Sequence, residues 1–454
     1  MNSYHKLMGF FLKRTGFQKN RGVPLFRKID MKLNLKIELL LYKKQQIFKK
    51  KKGISMAKQV HYSIVIVGAG TAGVSVAARL VRTSKNLKGQ VAIIDPKSKH
   101  YYQPLWTLVG AGAAKKEESE RDLASLIPAG IDLISDAVTV FRPSQNTLLT
   151  KQGTTVSYDY LVVSAGLQID WDGVKGLKNT VGKNGVCSNY SYHTVDSTWE
   201  NIRNFKGGTA IFTHPDSPVK CGGAPQKIMY LADDYFRKSN VRNQSEIIFA
   251  SAKSTIFDVA KYASSLEKVV QRKGIQTMYK RNLTEIRPNS REAVFKNLET
   301  KELEIMKYDI LHVTPPMIAP KFIKESTLAD DGGWVDVDPY TLKHKKFNNV
   351  FGIGDCANLP TSKTGAAIRK QAPVVAKNLI SLMTGSSLGA KYNGYSSCPL
   401  VTGYNKVVLA EFDYNKDPQE TFPFDQSKER FSMYLLKRRL LPIIYWNGML
   451  KGLM

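Results

Sequence analysis

Cysteine is scarce in this chain. Four residues in 454 (Cys187, Cys221, Cys356 and Cys398) carry thiols, and no two of them form a C-x-x-C pair. That spacing excludes a secreted disulfide scaffold and a zinc site, so no metal is expected, and without C-x-x-C-H no haem attachment is present. Long apolar runs are also missing. No stretch approaches the roughly 18 consecutive apolar residues of a spanning helix, so any membrane association is expected to be peripheral. Acidic residues are the third shortage: 38 Asp+Glu against 67 Lys+Arg give a net charge of +29. Such an excess favours small anions and acidic lipids as partners. The hydrophobic fraction of 43% is that of an ordinary folded chain, and the length suffices for two or three domains with their own cores.

Much of the charge lies at the front. Residues 1–55 hold 15 Lys+Arg and only two acids, Asp30 and Glu38. Leu, Phe and Ile alternate there with Lys and Arg, which is the character of a mitochondrial presequence, although Lys outnumbers Arg twelve to three. Translation starting at Met56 is the alternative. Either way residues 1–55 are expected to be a targeting or disordered segment outside the folded core.

His61 to Val67 is a short, β-branched apolar run of the kind that forms a buried parallel strand. It ends in Gly68-Ala69-Gly70-Thr71-Ala72-Gly73, and a helix-forming run from Val74 to Leu80 follows. This is strand, G-x-G-x-x-G and helix in the order a dinucleotide site requires. Gly68 permits the turn, Gly70 lets the backbone approach a pyrophosphate, and Gly73 lets helix and strand touch. A second strand, Gln90 to Asp95, places Asp95 where a ribose-binding acid belongs.

Two later segments favour FAD over NAD. One is the strand Tyr158 to Val163 that runs into Ser164-Ala165-Gly166; the other is Asn349 to Gly354-Asp355, with a helix expected from about Thr364 to Leu382. Both resemble the distal signatures of flavoproteins with two dinucleotide-binding domains. The resemblance implies that Asp355 hydrogen-bonds the ribityl chain of FAD and that the helix N-terminus faces the flavin. The middle of the chain lacks the matching NAD signature. The strand Gly208 to Thr213 leads into Pro215 and Pro218 rather than a glycine triplet, and proline offers no N–H to a phosphate. Cys221 stands there instead, just before a helix that Pro225 is expected to open, and a helix N-terminus should lower its pKa.

The segment Lys220-Cys221-Gly222-Gly223-Ala224-Pro225-Gln226-Lys227 resembles the first catalytic-cysteine segment of mitochondrial-type sulfide:quinone oxidoreductases. Ser396-Ser397-Cys398-Pro399-Leu400-Val401-Thr402-Gly403 resembles the second. Supporting stretches run from Tyr102-Gln103-Pro104 to Gly112, from Gly354 through Lys363 to Thr364, and from Phe422 to Arg430. The likeness extends from about residue 60 to the C-terminus. It implies an α/β fold with two Rossmann-like domains: an FAD domain over 56–170 and 330–385, split by a second α/β domain over 171–329. Residues 386–454 are expected to hold the second cysteine, a quinone site and membrane-surface helices.

The resemblance also implies a mechanism. Cys221 and Cys398 are a redox pair, sulfide attacks their linkage, and a persulfide forms on the cysteine at position 398. Glutathione or sulfite removes the sulfane sulfur, and electrons pass through FAD to ubiquinone. The implied cofactor residues are Gly68, Gly70, Thr71, Ala72, Gly73, Asp95, Gln103, Ala165, Gly166, Gly354, Asp355 and Lys363. Tyr404, Phe412, Tyr414 and Phe424 are candidates for the quinone slot. Cys187 and Cys356 are expected to be structural, with Cys187 in a loop open to solvent. From Arg430 to Trp446 the chain is basic, aromatic and amphipathic, which suits a helix lying in a membrane interface and interrupted by Pro442. The expected place is the mitochondrial inner membrane, peripherally bound to anionic lipid, as a monomer or homo-oligomer.

Three rival readings are a type II NADH:quinone oxidoreductase, a non-catalytic basic flavoprotein, and a sulfide dehydrogenase with a partner's haem. The missing second glycine motif and the two matched cysteines count against the first. The second has no nucleic-acid motif to support it, and no nucleic-acid partner is expected.

Overall fold

A computed structural model describes residues 58–454; the basic segment expected over residues 1–55 lies outside the described residues. The apolar run after Ser63 forms the end of strand β1 (Gln59–Val67), where Ile64, Val65 and Ile66 are fully buried. A strand covered on both faces requires such an unbroken apolar run, and each buried isoleucine contributes about 1.5–3 kcal/mol. Five more strands follow: β2 (Val91–Ile94), β3 (Ile131–Ile134), β4 (Val138–Arg142), β5 (Thr147–Thr150) and β6 (Thr155–Val163). They lie in the order β3-β2-β1-β6-β5-β4, and β1 sits in parallel between β2 and β6.

The middle of the chain builds a second, parallel sheet. Its strands are Val186–Cys187, β7 (Gly208–His214), β8 (Ser245–Ser251), β9 (Gln276–Tyr279) and β10 (Ile310–His312), with β7 flanked by β8 and β10. The chain then returns to the first sheet. β11 (Val350–Gly352) pairs in parallel with the C-terminal half of β6, Val350 opposite Leu161. Both sheets are Rossmann-like, and the fold is α/β. The last strands, β12 (Ser396–Gly403) and β13 (Lys406–Phe412), form an antiparallel hairpin.

Three helices matter for the site: α1 (Thr71–Thr83), α2 (Ala224–Lys238) and α3 (Gly365–Met383). Thr364 caps α3, its hydroxyl accepting from the Ala367 N–H at 3.0 Å, so the helix begins within a residue of its expected start. The tail differs from expectation. Its helical turns run from Phe431 to Met449 without a break at Pro442. The turns of Leu436–Leu440 are wide π turns, and Pro442 falls in the first turn of the piece that follows them, where a missing N–H costs little. Among the described residues no helix is long and apolar enough to cross a membrane.

Candidate active site

The glycine turn between β1 and α1 is built by sterics. Gly68 has φ +101°, and a Cβ there would lie 2.6 Å from the Ser164 carbonyl oxygen; a Cβ on Gly73 would lie 1.9 Å from the Gly68 oxygen. Gly70 is the opposite case, with nothing within 4 Å of its missing Cβ. Two glycines are therefore forced by packing and the third leaves open space. No side chain caps the first turn of α1, which leaves its N–H groups for an anion. The Asp95 carboxylate accepts from the Ala69 N–H at 2.8 Å and from the Lys97 N–H at 2.9 Å, so it braces the turn in addition to the ribose contact expected of it.

The distal elements meet this turn. A Cβ on Gly354 would lie 3.3 Å from the Ala72 methyl, and Ala165 stands against Gly68. Gly166, at φ +69°, has open space beside it. The Gly354 N–H donates to Gln371 of α3 at 3.0 Å. Lys363 spans the loop before α3: its ammonium donates to the Asp355 and Ala357 carbonyls at 2.8 and 3.0 Å and lies 4.1 Å from the Trp334 ring centre. The Asp355 carboxylate makes no hydrogen bond among the described residues. Burial raises its pKa, opposed by the nearby charges of Lys363 and Lys220. An acceptor left free beside an open glycine cradle and an uncapped helix fits a flavin dinucleotide.

The two cysteines come from different layers. Cys221 closes the turn ahead of α2, and Cys398 lies on β12 opposite Ala410 of β13. Their sulfurs are 3.0 Å apart. Cys221 holds a left-handed backbone, φ +59°, a conformation that costs about 1–3 kcal/mol in a side-chain-bearing residue. It is fixed by the Cys221 N–H donating to the Lys363 carbonyl and by the Ala224 N–H donating to the Cys221 carbonyl, both at 2.8 Å. Gly223 makes the approach of the two sulfurs feasible. A Cβ there would lie 2.5 Å from Leu400 and 2.7 Å from the Cys398 sulfur.

Charge divides the pair. The hydrogen bond from Cys398 and the ammonium of Lys227, 3.4 Å away, hold the Cys221 thiol well below the usual thiol range despite burial. Burial, and then the neighbouring Cys221, push Cys398 well above it. The resulting state is a Cys221 thiolate accepting from a Cys398 thiol. Lys227 itself is raised by the charges of the two cysteines, which outweigh its burial. Two more lysines close the site, Lys437 buried and Lys220 half-buried. Lys220 donates to Gln103 Oε1 at 2.7 Å and to the Tyr190 carbonyl at 2.9 Å, and Lys437 donates to the Pro104 carbonyl at 3.1 Å. Burial brings both down to about 7.

Lys227 and Lys437 are what the sequence reading missed. Lys437 reads as part of a basic tail face yet points inward. Lys227 directly precedes an apolar run, Ile228-Met229-Tyr230-Leu231, and that adjacency was the one available signal. The quinone candidates each make contacts of their own. Tyr404 donates to the Ala111 carbonyl, Tyr414 donates to the Pro339 carbonyl, Phe424 stacks on Phe422, and Phe412 packs on Phe257 in the core. Of the four, Phe412 is buried and the others are half-buried. Cys187 is fully buried on its short strand rather than open to solvent, because its side chain packs inside the second sheet. Cys356 is buried too, and its thiol is pushed up to about 11.

A cavity of about 380 Å³ reaches the cysteine turn at Gly222 and runs past Phe257 and Phe412 to Lys253, Asp258 and Lys416. The fold and this site define a flavoprotein in which a dithiol lies beside the cofactor cradle. Residues 62–200 match the family model described as pyridine nucleotide-disulphide oxidoreductase. The chain is 49% identical over 395 residues to the mitochondrial sulfide:quinone oxidoreductase of Mus musculus, covering 86% of this chain and 87% of that one. It is 50% identical over 391 residues to the mitochondrial enzyme of the same name from Dictyostelium discoideum, covering 86% of each. The crystal structure of the sulfide:quinone oxidoreductase from Aquifex aeolicus shares the fold with a TM-score of 0.75 at 18% identity, over 87% of this chain and 92% of that one. The chain belongs to the mitochondrial sulfide:quinone oxidoreductase family.

Proposed function

We propose that this protein is an FAD-dependent sulfide:quinone oxidoreductase working at the surface of the mitochondrial inner membrane. The observation that carries the reading is the pair Cys221 and Cys398, 3.0 Å apart with opposite pKa shifts, beside a dinucleotide cradle. In the oxidised pair the two sulfurs are bonded. HS⁻ attacks the Cys398 sulfur, the S–S bond breaks, and Cys221 leaves as a thiolate. Lys227 favours that direction, since a stabilised thiolate leaves more readily. Cys398 then carries a persulfide. A small thiol such as glutathione, or sulfite, takes the outer sulfur and leaves Cys398 as a thiolate. Re-forming the Cys221–Cys398 bond releases two electrons. A bound FAD supplies the two-electron acceptor that serves this pair and the quinone in turn.

The rest of the chain is assigned accordingly. The first sheet, with β11 returning to it, is the FAD domain, split by the inserted second sheet. Gly68, Gly70, Thr71, Ala72 and Gly73 receive the pyrophosphate, and Asp355, Gly354, Lys363, Gln103, Ala165 and Gly166 surround the flavin end. The cavity at Gly222 is the route for sulfide and acceptor. At the second sheet, Cys221 occupies the turn ahead of α2, so the place where a nicotinamide cofactor's phosphates would bind is taken. The tail exposes Phe431, Leu435, Leu440 and Ile443 on one side while Arg439 lies among them; that side is assigned to the membrane surface. The test is a spectrum of anaerobic protein before and after sulfide, then with a soluble ubiquinone analogue. Sulfide should bleach the flavin band, quinone should restore it, and Cys221→Ser or Cys398→Ser should abolish the bleaching. Bleaching by NADH and none by sulfide would replace this reading with a type II NADH dehydrogenase.

A further inference from the structure

Neither the cysteine chemistry nor the assigned flavin contacts involve Tyr445, yet it is buried against the glycine turn. Its hydroxyl lies 2.6 Å from His100 Nε2 and 2.8 Å from Thr71 Oγ1. His100 in turn places Nδ1 3.0 Å from the Ala69 carbonyl oxygen. A carbonyl only accepts, so Nδ1 carries the proton, Nε2 accepts from Tyr445, and the Tyr445 oxygen accepts from the Thr71 hydroxyl. Burial lowers His100 to about 4, so the imidazole is neutral and this direction holds at neutral pH.

The Ala69 peptide is thus gripped from both sides, its N–H by Asp95 and its carbonyl by His100. Ala69 stands between Gly68 and Gly70, at the centre of the turn. The His100 that grips the carbonyl is supported by Tyr445 from 345 residues away in sequence, on a tail that is well fastened. Tyr102 stands 4.5 Å from the Tyr445 ring centre, and the Arg121 guanidinium lies 4.9 Å from Trp446. Farther on, Gly452 lies so close to α1 that a Cβ would be 2.8 Å from the Arg79 nitrogen.

We infer that Tyr445 is a positioning residue for the dinucleotide site: through His100 and Thr71 its hydroxyl holds the Gly68-Ala69-Gly70 turn in phosphate-binding shape, which makes the C-terminal tail a latch on the cofactor. The inference rests on the reading of that turn as the flavin site. A turn already held in its bound shape binds more tightly, because less ordering is left to do. The coupling is reciprocal, so bound flavin holds the tail down as strongly as the tail holds flavin. The tail's assigned membrane side, at Leu440 and Ile443, lies a few residues from the latch.

The test uses purified holoprotein and follows flavin release by the fluorescence of the freed cofactor after dilution. Tyr445→Phe keeps the ring packing and removes the hydroxyl. Release should quicken about two- to tenfold, the equivalent of one hydrogen bond. Asn447→Ala, an exposed change on the same segment, should release flavin at the wild-type rate. Thr71→Val combined with Tyr445→Phe should cost less than the product of the two single effects, because both break one relay. Carboxypeptidase should trim the tail faster after flavin is stripped. Wild-type release from Tyr445→Phe, or effects that multiply fully in the double variant, would overturn the latch. A wild-type protein purified without any flavin would instead overturn the reading of the turn as a flavin site.

Discussion

The ammonium of Lys227 lies 3.4 Å from the sulfur of Cys221, one helical turn into α2 from the strained residue it serves. Few buried charges are tolerated without a partner, and here each is the other's partner. Removing Lys227 should therefore do more to the thiol than to the fold. In Lys227→Met, the alkylation of Cys221 by iodoacetamide near pH 6.5 should slow by roughly tenfold or more, the scale of a hydrogen bond to a charged group. Flavin content should stay as it was. Alkylation at the wild-type rate would show that Cys221 owes its reactivity to the turn alone.

Gly223 offers a test of the distance between the sulfurs. Gly223→Ala adds a methyl into space already held by Leu400 and the Cys398 sulfur. Overpacking of this kind costs about 1–3 kcal/mol, and the cheapest relief is to move the hairpin that carries Cys398. Sulfide-driven flavin bleaching should fall by at least tenfold, while thermal stability drops by only a few degrees. Unchanged bleaching would mean that the cysteines do not need this close approach.

Much of this was legible beforehand, for reasons that particular residues make clear. Gly68 and Gly73 were readable because backbone contact admits nothing else, and β1 and β11 because a strand buried on both faces cannot alternate. Cys221 was readable because two prolines stand where glycines would serve a phosphate. Lys227 and Lys437 were not, since a lysine on a helix ordinarily faces water and only the assembled site shows what repays its burial. The aromatic candidates could not be ranked for the converse reason: Phe412 and Tyr414 look the same in sequence whether they line a slot or fill a core.

Acid stability follows from buried histidines, of which three are shifted furthest. Burial lowers His100 and His214 to about 4 and His312 to about 3. The unfolded chain takes up these protons near 6.5 and the folded one resists until well below, so the unfolded state binds more protons in that window. Stability is complete above about 6.5 and is lost as pH falls toward 4. At pH 5.5 the loss is about 1.4 kcal/mol per histidine. Thermal midpoints should drop clearly between pH 7 and 5.5, and less so in His312→Asn. A flat profile over that interval would contradict the burial of these rings.

The outer side of the tail can be tested without chemistry. Leu440→Asp with Ile443→Asp places charge on two exposed apolar positions. Co-sedimentation with vesicles containing anionic lipid should weaken at least tenfold, as expected when apolar burial of this size is lost. Equal binding by the double variant would move the membrane side elsewhere on the protein.

Cys221 and Cys398 are separated by 177 residues, and they meet only through elements laid down at different times. A growing chain exposes the first long before the second exists. Contacts of such span form late, after the entropy of closing the intervening loop has been met by other packing. Lys227 arrives with Cys221 on one local segment, but the partner sulfur reaches them only when the hairpin of β12 and β13 has docked. An incomplete or half-folded chain holds ordinary thiols, and the capacity to accept sulfur arrives together with the finished architecture.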